Sequence, residues 1–279
     1  MMISVITPVY NGAKFIESCI KVVIDQNCSH VEHIIVDGGS TDETVEIIKQ
    51  YAQKYSHIRW ISEKDKGQSD AMNKGIAMAQ GEILTILNVD DYYEPNVLNR
   101  VSEIFKTLPE PSLLVGNCNV WNNEGKLDHI NKPAKIKLSD LLLGCELNPH
   151  PMNPSAYFYH TSLHQKIGLY KVDEHYVMDL DFLLRAVQVA TVKYVNETWG
   201  NYRQLEGTKT VNDIKTGESA SRAEQLLKSY QKKVPLLIKW KIFIKLEIYK
   251  NKQKVKYLLK QTQQLFSIIR TKVVSRSAQ

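Results

Sequence analysis

Cysteine is scarce in this chain: Cys19, Cys28, Cys118 and Cys145 are the only thiols in 279 residues, and no two are spaced as a metal-ligand pair. A chain of this length buries a full core without disulfide staples, so the four are expected to be reduced packing residues in a cytoplasmic protein. Long apolar runs are missing as well. No stretch approaches the roughly 20 residues that a membrane span requires, and no charged-then-apolar leader precedes the first strand-like run at Ile3. The expectation is a chain that is neither exported nor membrane-spanning. Internal repeats, low-complexity segments and nucleic-acid reading modules are also absent, which argues against nucleic acid as a partner.

Charge is present but unevenly placed. Residues 231–279 hold eleven lysines and two arginines against a single acid, Glu247, a surplus of twelve, so residues 1–230 carry −6 of the total +6. The body is net acidic and the tail strongly basic. An acidic body that handled a diphosphate would need a divalent cation to offset repulsion between its carboxylates and the phosphates.

Short β-branched runs at residues 3–8, 33–37, 58–62 and 83–87 alternate with helix-like segments at 13–24, 42–55 and 68–79. That alternation predicts a doubly wound α/β fold with a mostly parallel, Rossmann-like sheet. Ligands of such sheets sit at the carboxyl ends of the strands, and polar residues collect there after all four runs. Beyond residue 109 the spacing predicts shorter strands, with a hairpin tip at 122–125, a strand at 155–159 and a helix at 179–190. Residues 204–220 are polar and rich in glycine and threonine, and read as a loop or linker. The expected organisation is one α/β domain over 1–215, with a first half (1–108) that carries the four strand ends and a second half (109–215) that covers them, followed by a basic helical tail over 216–279.

Five motifs carry the chemistry. The first is Ile6-Thr7-Pro8-Val9-Tyr10-Asn11-Gly12, a turn at the end of the first strand. The second runs from Asp37 through Gly38, Gly39 and Ser40 to Asp42. Thr41 or Asp42 is suited to cap the following helix, whereas Asp37 ends a buried strand with no capping duty, and its carboxylate suits the ring N–H of uracil, thymine or guanine. These two motifs resemble the start of a family 2 glycosyltransferase with the GT-A fold. A third match is Asp65-Lys66-Gly67-Gln68-Ser69-Asp70, and the resemblance implies that this segment packs beside the nucleotide. The residues alone leave open a turn aspartate and a helix first-turn aspartate. Asn88-Val89-Asp90-Asp91 stands where the family has a D-x-D motif that binds ribose and metal. Asn88 replaces the first aspartate but keeps a hydrogen-bonding group for a ribose hydroxyl, and Asp90 and Asp91 offer hard oxygens suited to Mg²⁺ or Mn²⁺.

The fifth motif, Met178-Asp179-Leu180-Asp181 followed by Arg185, resembles the family's E-D motif, with Met178 in place of the first acid. The resemblance implies that Asp179 is the general base; the alternative is that it caps the helix, and Asp181 is expected to pair with Arg185 one turn on. His150, beside Pro151, and Arg203 are candidates for the acceptor side; where relatives often have a histidine that contacts the diphosphate this chain has Leu205, and Arg203 or Lys209 is the alternative cation for that contact.

The function implied is inverting transfer of a sugar from a nucleoside-diphosphate sugar, expected to be UDP-linked, to a hydroxyl of a saccharide or lipid-linked acceptor. Two rivals are a non-catalytic nucleotide-binding partner subunit and a nucleotidyltransferase; the latter would place a glycine-rich basic loop where Pro8–Gly12 stands. In the tail, a helical reading puts Trp240, Phe243, Ile244, Ile248, Val255, Leu258, Leu265 and Ile269 in one stripe beside Lys241, Lys245, Lys252 and Lys256. Such a helix suits the inner, anionic face of a cell membrane. An oligomerisation helix and a solvated extension are the alternatives.

Overall fold

Four runs of β-branched residues at the start of the chain become parallel strands: β1 (Ile3–Val9), β2 (Val31–Asp37), β3 (Ile58–Ser62) and β4 (Ile83–Ile86). β1 lies between β2 and β4, with Val9 opposite Asp37, so the ends of the strands are level. Three helices separate them, α1 (Ala13–Ile24), α2 (Thr44–Lys54) and α3 (Gln68–Met78). The apolar faces of α1 and α2 complete a core around Ile16, Ile20, Ile35 and Ile48 on one side of the sheet. α3 sits close on β1: a Cβ on Gly75 would lie 2.4 Å from a methyl group of Ile6. This close seat brings the segment before α3 to the strand ends.

The computed structural model describes the backbone of residues 1–276, and side chains there except those of residues 209, 210, 214, 215, 258–261 and 263–276. The chain divides into two compact units, Met1–Lys228 and Ser229–Gln279. In the first, the sheet continues past β4 with mixed direction, in the order β3-β2-β1-β4-β8-β6-β9-β5. A short β5 (Tyr92–Tyr93) and α4 (Val97–Phe105) lead to β6 (Ser112–Trp121) and its hairpin partner β7 (Leu127–Asn131). The hairpin tip falls where expected, with Asn122 closing on Lys126 and Gly125 at φ +73°. A single turn, α5 (Leu138–Leu141), and a 3₁₀ turn at Pro154–Ala156 precede β8 (Tyr157–His160), so the strand expected at 155–159 starts two residues later.

α6 (Leu163–Ile167) and α7 (Met178–Ala186) follow, and then β9 (Thr191–Arg203), which pairs parallel with β6 along nearly its whole length. β9 places Arg203 opposite Trp121 and also pairs with β5, Tyr92 opposite Asn201. Trp199 from β9, Phe158 and Phe105 fill the core on this side.

The reading of 204–220 as a loop is corrected. α8 (Lys209–Thr216) and the start of α9 (Glu218–Lys233) occupy it. The glycines that suggested a loop punctuate helix ends instead: Gly217 follows α8 in the left-handed conformation, φ +74°. The first unit therefore runs beyond residue 215, to Lys228.

The second unit is dominated by α10 (Leu236–Arg276). Leu236, Leu237, Trp240, Phe243, Ile244 and Ile248 are exposed and share one arc of the helix, while Ile242 on another face is buried. The side chains of Leu258, Leu265 and Ile269, and of Lys209 in the first unit, lie outside the described residues. Among the described residues, no helix is long and apolar enough to cross a membrane.

Candidate active site

The loops after β1 and β2 are stitched into one structure. Asn11, at φ 49°, accepts the Thr41 N–H at 2.9 Å, and its own N–H donates to Ser40 Oγ at 2.7 Å. Asp42 accepts from the N–H of Ala13 at 3.0 Å and of Thr44 at 3.1 Å, so one carboxylate serves the first residues of two helices. Asp37 is fully buried. Its oxygens accept from the Gly39 and Ser40 N–H groups, the Ser40 hydroxyl and Ser62 Oγ. The premise that Asp37 has no local duty is thus corrected: a base N–H would compete with four donors. Thr7 is corrected as well, since its side chain is buried in the sheet, 2.9 Å from His33 Nε2. Pro8 is buried in β1 opposite Val36, which removes its ring from ligand contact, whereas Tyr10 is 64% exposed.

The segment before α3 leans on this scaffold. Asp65 accepts the Gly67 N–H at 2.8 Å, and its other oxygen lies where a Cβ on Gly38 would be, at 2.5 Å. Residue 38 has to be glycine for that carboxylate to sit there. Asp70 accepts the Lys66 N–H at 3.1 Å, and the Lys66 side chain is exposed.

At the end of β4 the carboxylates differ sharply in setting. Asp91 is buried, 2% exposed, and accepts from Asn88 Nδ2 at 2.9 Å, Asn153 Nδ2 at 2.7 Å and the Arg203 N–H at 3.3 Å. Burial, with the neighbouring Asp90 charge behind it, pushes the Asp91 carboxyl up to about 7. Asp91 as an open metal ligand is therefore corrected to a buried anchor of the loop. Asn88 has a reason to be an amide here, because it donates to Asp91 while its oxygen accepts from Gln68 Nε2 at 3.0 Å. Asp90 is raised chiefly by burial, and among the described residues no side-chain donor reaches its carboxylate.

Arg203 joins this end of the site, beside Asp90. Its Nε donates to the Asp90 carbonyl, and its guanidinium lies 5.5 Å over Phe15 and 5.7 Å over Tyr92. β9 delivers it there from more than a hundred residues away in sequence.

A cleft of about 280 Å³ opens beside the β4 end, and its lining includes Gln68, Asn88, Asn153, His175, Asp179 and Asp213. Asp179 is the second residue of α7 and accepts from Tyr157 Oη at 3.1 Å. That neighbouring carboxylate adds to burial in raising the Tyr157 phenol well above its ordinary value, burial being the larger cause. Asp181 points the other way, held by Lys171 at 2.7 Å and Arg185 at 2.8 Å as the i,i+4 spacing predicts. His150 lines the cleft, but its ring is buried and Nε2 is engaged by the Leu141 carbonyl at 2.9 Å, so its role as an acceptor contact is corrected to a wall residue.

The structure thus brings Asn88 and Asp179 to one cleft and places Tyr10, Asp65, Lys66 and Asp70 at neighbouring strand ends outside its lining. Sequence reading missed Gln68, Asn153, Tyr157, His175 and Asp213. Asn153 had a usable signal: it precedes Pro154 and accepts the Ser155 N–H at 2.9 Å, an N-cap before a proline.

Among the described residues no group of three or more His, Cys, Asp or Glu side chains could hold a metal ion unaided. The donor set instead fits a cation shared with phosphate: one desolvated carboxylate, Asp90, without a side-chain donor, is the arrangement Mg²⁺ commonly takes with substrate oxygens completing its shell.

A mostly parallel sheet with carboxylates gathered beyond its strand ends, next to a polar cleft, defines an α/β protein of the GT-A type. Solved structures agree on the fold. Residues 1–349 of S. aureus TarS, in complex with UDP-GlcNAc, superpose with a TM-score of 0.61 at 20% identity over 76% of this chain and 61% of that one. A mannosyltransferase of Pyrobaculum calidifontis in complex with GDP-Man and Mn²⁺ gives 0.58 at 16% identity, over 79% of this chain and 62% of that one. The chain spans about three fifths of each. Residues 4–164 match the family described as glycosyl transferase family 2, and the chain belongs to that family. An uncharacterised glycosyltransferase of Mycobacterium tuberculosis is 33% identical over 189 residues, 67% of this chain and 69% of its own length. A Mycobacterium bovis glycosyltransferase of PGL/p-HBAD biosynthesis is 28% identical over 216 residues, 74% of this chain and 78% of its own.

Proposed function

We propose that this glycosyltransferase moves a sugar from a nucleoside-diphosphate sugar to a hydroxyl of a saccharide or lipid-linked acceptor in glycan assembly, with inversion at the anomeric carbon. The observation that carries the reading is the single cleft lined by both Asn88, next to Asp90 at the β4 end, and Asp179 at the start of α7. The β4 end takes the diphosphate side of the donor. Asp179 accepts the proton of the acceptor hydroxyl as that oxygen attacks. Asp90 would hold Mg²⁺ or Mn²⁺ together with the diphosphate, and the cation would stabilise the charge of the departing nucleotide. Asn88 and Asp91 keep the Asp90 loop in place, and Arg203 supplies the nearby fixed cation. Tyr10, Asp65, Lys66 and Asp70 border the nucleotide.

TarS was solved with a UDP-linked donor and the mannosyltransferase with a GDP-linked one, so both nucleotides belong in the test. The chain would be screened against UDP- and GDP-sugars with Mn²⁺ for a rise in melting temperature, and hits carried into transfer assays with saccharide and lipid-linked acceptors. Product with inverted anomeric configuration, lost on adding EDTA, is expected. A retained configuration would contradict the single-displacement reading, and full activity in EDTA would remove the metal.

The tail supports a location. The exposed apolar arc of α10 with Trp240 and Phe243, flanked by Lys241, Lys245 and Lys252, suits peripheral attachment to the anionic inner face of a membrane. Removal of residues 235–279 should abolish sedimentation with anionic vesicles; unchanged sedimentation would refute the attachment.

A further inference from the structure

Glu174 is a carboxylate with 4% exposure that takes no part in the chemistry above. One of its oxygens accepts from the N–H groups of Tyr176 at 3.3 Å and Val177 at 3.4 Å, the two residues that lead into α7. Its other oxygen is gripped by Arg222 of α9, through Nε at 2.9 Å and Nη2 at 2.8 Å. One turn earlier on α9, Glu218 accepts from the Tyr176 hydroxyl. On the far side Ser69 of α3 donates to the Glu174 carbonyl at 3.4 Å. The turn at 174–177 is therefore held between α3 and α9, and the base helix starts from it.

Glu174 is buried while Arg222 is about half exposed, and such a pair is a poor way to add stability, because the desolvation of the carboxylate offsets most of the attraction. What this one does add is geometry. Both N–H groups it fixes lie within three residues of Asp179, and α9 starts beside the cleft, where Ser219 joins the lining. A shift of about 1 Å in a reacting group can cost roughly 100-fold in rate, so a brace at the start of α7 has leverage on turnover that its modest stabilisation would not suggest.

We propose that Glu174 and Arg222 are positioning residues for Asp179: the α9 arginine, through the buried carboxylate, sets the start of α7 so that the base faces the acceptor hydroxyl. The inference rests on Asp179 being the base.

The test uses the full chain with the donor and acceptor found by the screen. Arg222→Ala should lower kcat about 10- to 100-fold, leave Mn²⁺-dependent UDP or GDP affinity near the wild-type value, and be largely rescued by Arg222→Lys; because it strands the buried Glu174 carboxylate, it should also lower the melting temperature. In an Asp179→Asn background, Arg222→Ala should cost nothing further. Wild-type kcat in Arg222→Ala, an equal additional loss in the Asp179→Asn background, or a parallel fall in nucleotide affinity would each overturn the proposal. Wild-type kcat in Asp179→Asn alone would strike the base assignment itself, an outcome separate from any behaviour of Arg222.

Discussion

Around the ends of β1 and β2, polar groups find partners in the adjoining loop: Asp37 takes four donors, Asp42 serves two helix starts, and Asn11 bridges both loops. Around the end of β4 the situation is reversed. Asp90 and Asp91 are neighbouring carboxylates drawn out of water, both raised chiefly by burial, with Arg203 only partly offsetting the rise at Asp90. The first arrangement is finished without a ligand and serves as a rigid seat. The second holds charge that a cation and a phosphate would answer, which is where perturbed titration marks function.

That contrast can be broken most forcefully at Asp90. Asp90→Ala should reduce transfer about a thousandfold, the several kcal/mol of charge stabilisation assigned to a bound cation, and should remove the Mn²⁺ dependence of nucleotide binding; metal-dependent binding that persisted would move the cation elsewhere. Asp181 in α7 provides the opposite case, a carboxylate whose charge is already answered. Asp181→Ala leaves Arg185 without its partner, and urea unfolding should show a loss of about 3 kcal/mol, whereas a change below about 1 kcal/mol would mean the pair is only surface decoration.

Acid should probe the seat beneath the donor loops. Burial depresses His33 to about 3, far below the 6.5 of the unfolded chain. The unfolded state therefore binds the proton first, and stability falls as pH drops below 6.5, by up to about 1.4 kcal/mol per pH unit. His33→Gln should flatten the acid limb of the unfolding profile relative to wild type; identical slopes would show that His33 is not the sensitive group. The mildest test is Gly38→Ala, whose methyl would displace the Asp65 carboxylate. A stability loss of about 1 kcal/mol with weakened nucleotide affinity is expected, and unchanged affinity would take Asp65 out of the nucleotide site.

The two regions also differ in how far the sequence reveals them. β1 to β4 and α1 to α3 follow from local periodicity, because each buries a face set by residues next to one another in the chain. Asp179 and Asn88 were visible for a related reason: each sits at the end of an element with its own pattern. β9 was not, since its thirteen residues become a strand by pairing with β6, some eighty residues earlier. That pairing, and not any local pattern, brings Arg203 to Asp90. α8 and the first residues of α9 were hidden by glycines that mark helix ends as readily as loops, and with them went Asp213 and Ser219. Thr7, Pro8 and Asp37 were assigned to ligand by their place at strand ends, but a strand end also has an inner face, and theirs is the one that packs.

The central claim is a division of labour, with the donor held at the β4 end and the acceptor activated from α7. Measuring nucleotide affinity and turnover side by side for Asp179→Asn tests it most directly. The account predicts unchanged Mn²⁺-dependent UDP or GDP affinity with kcat reduced roughly 100- to 10,000-fold, the range of general-base catalysis; turnover near the wild-type rate would contradict it.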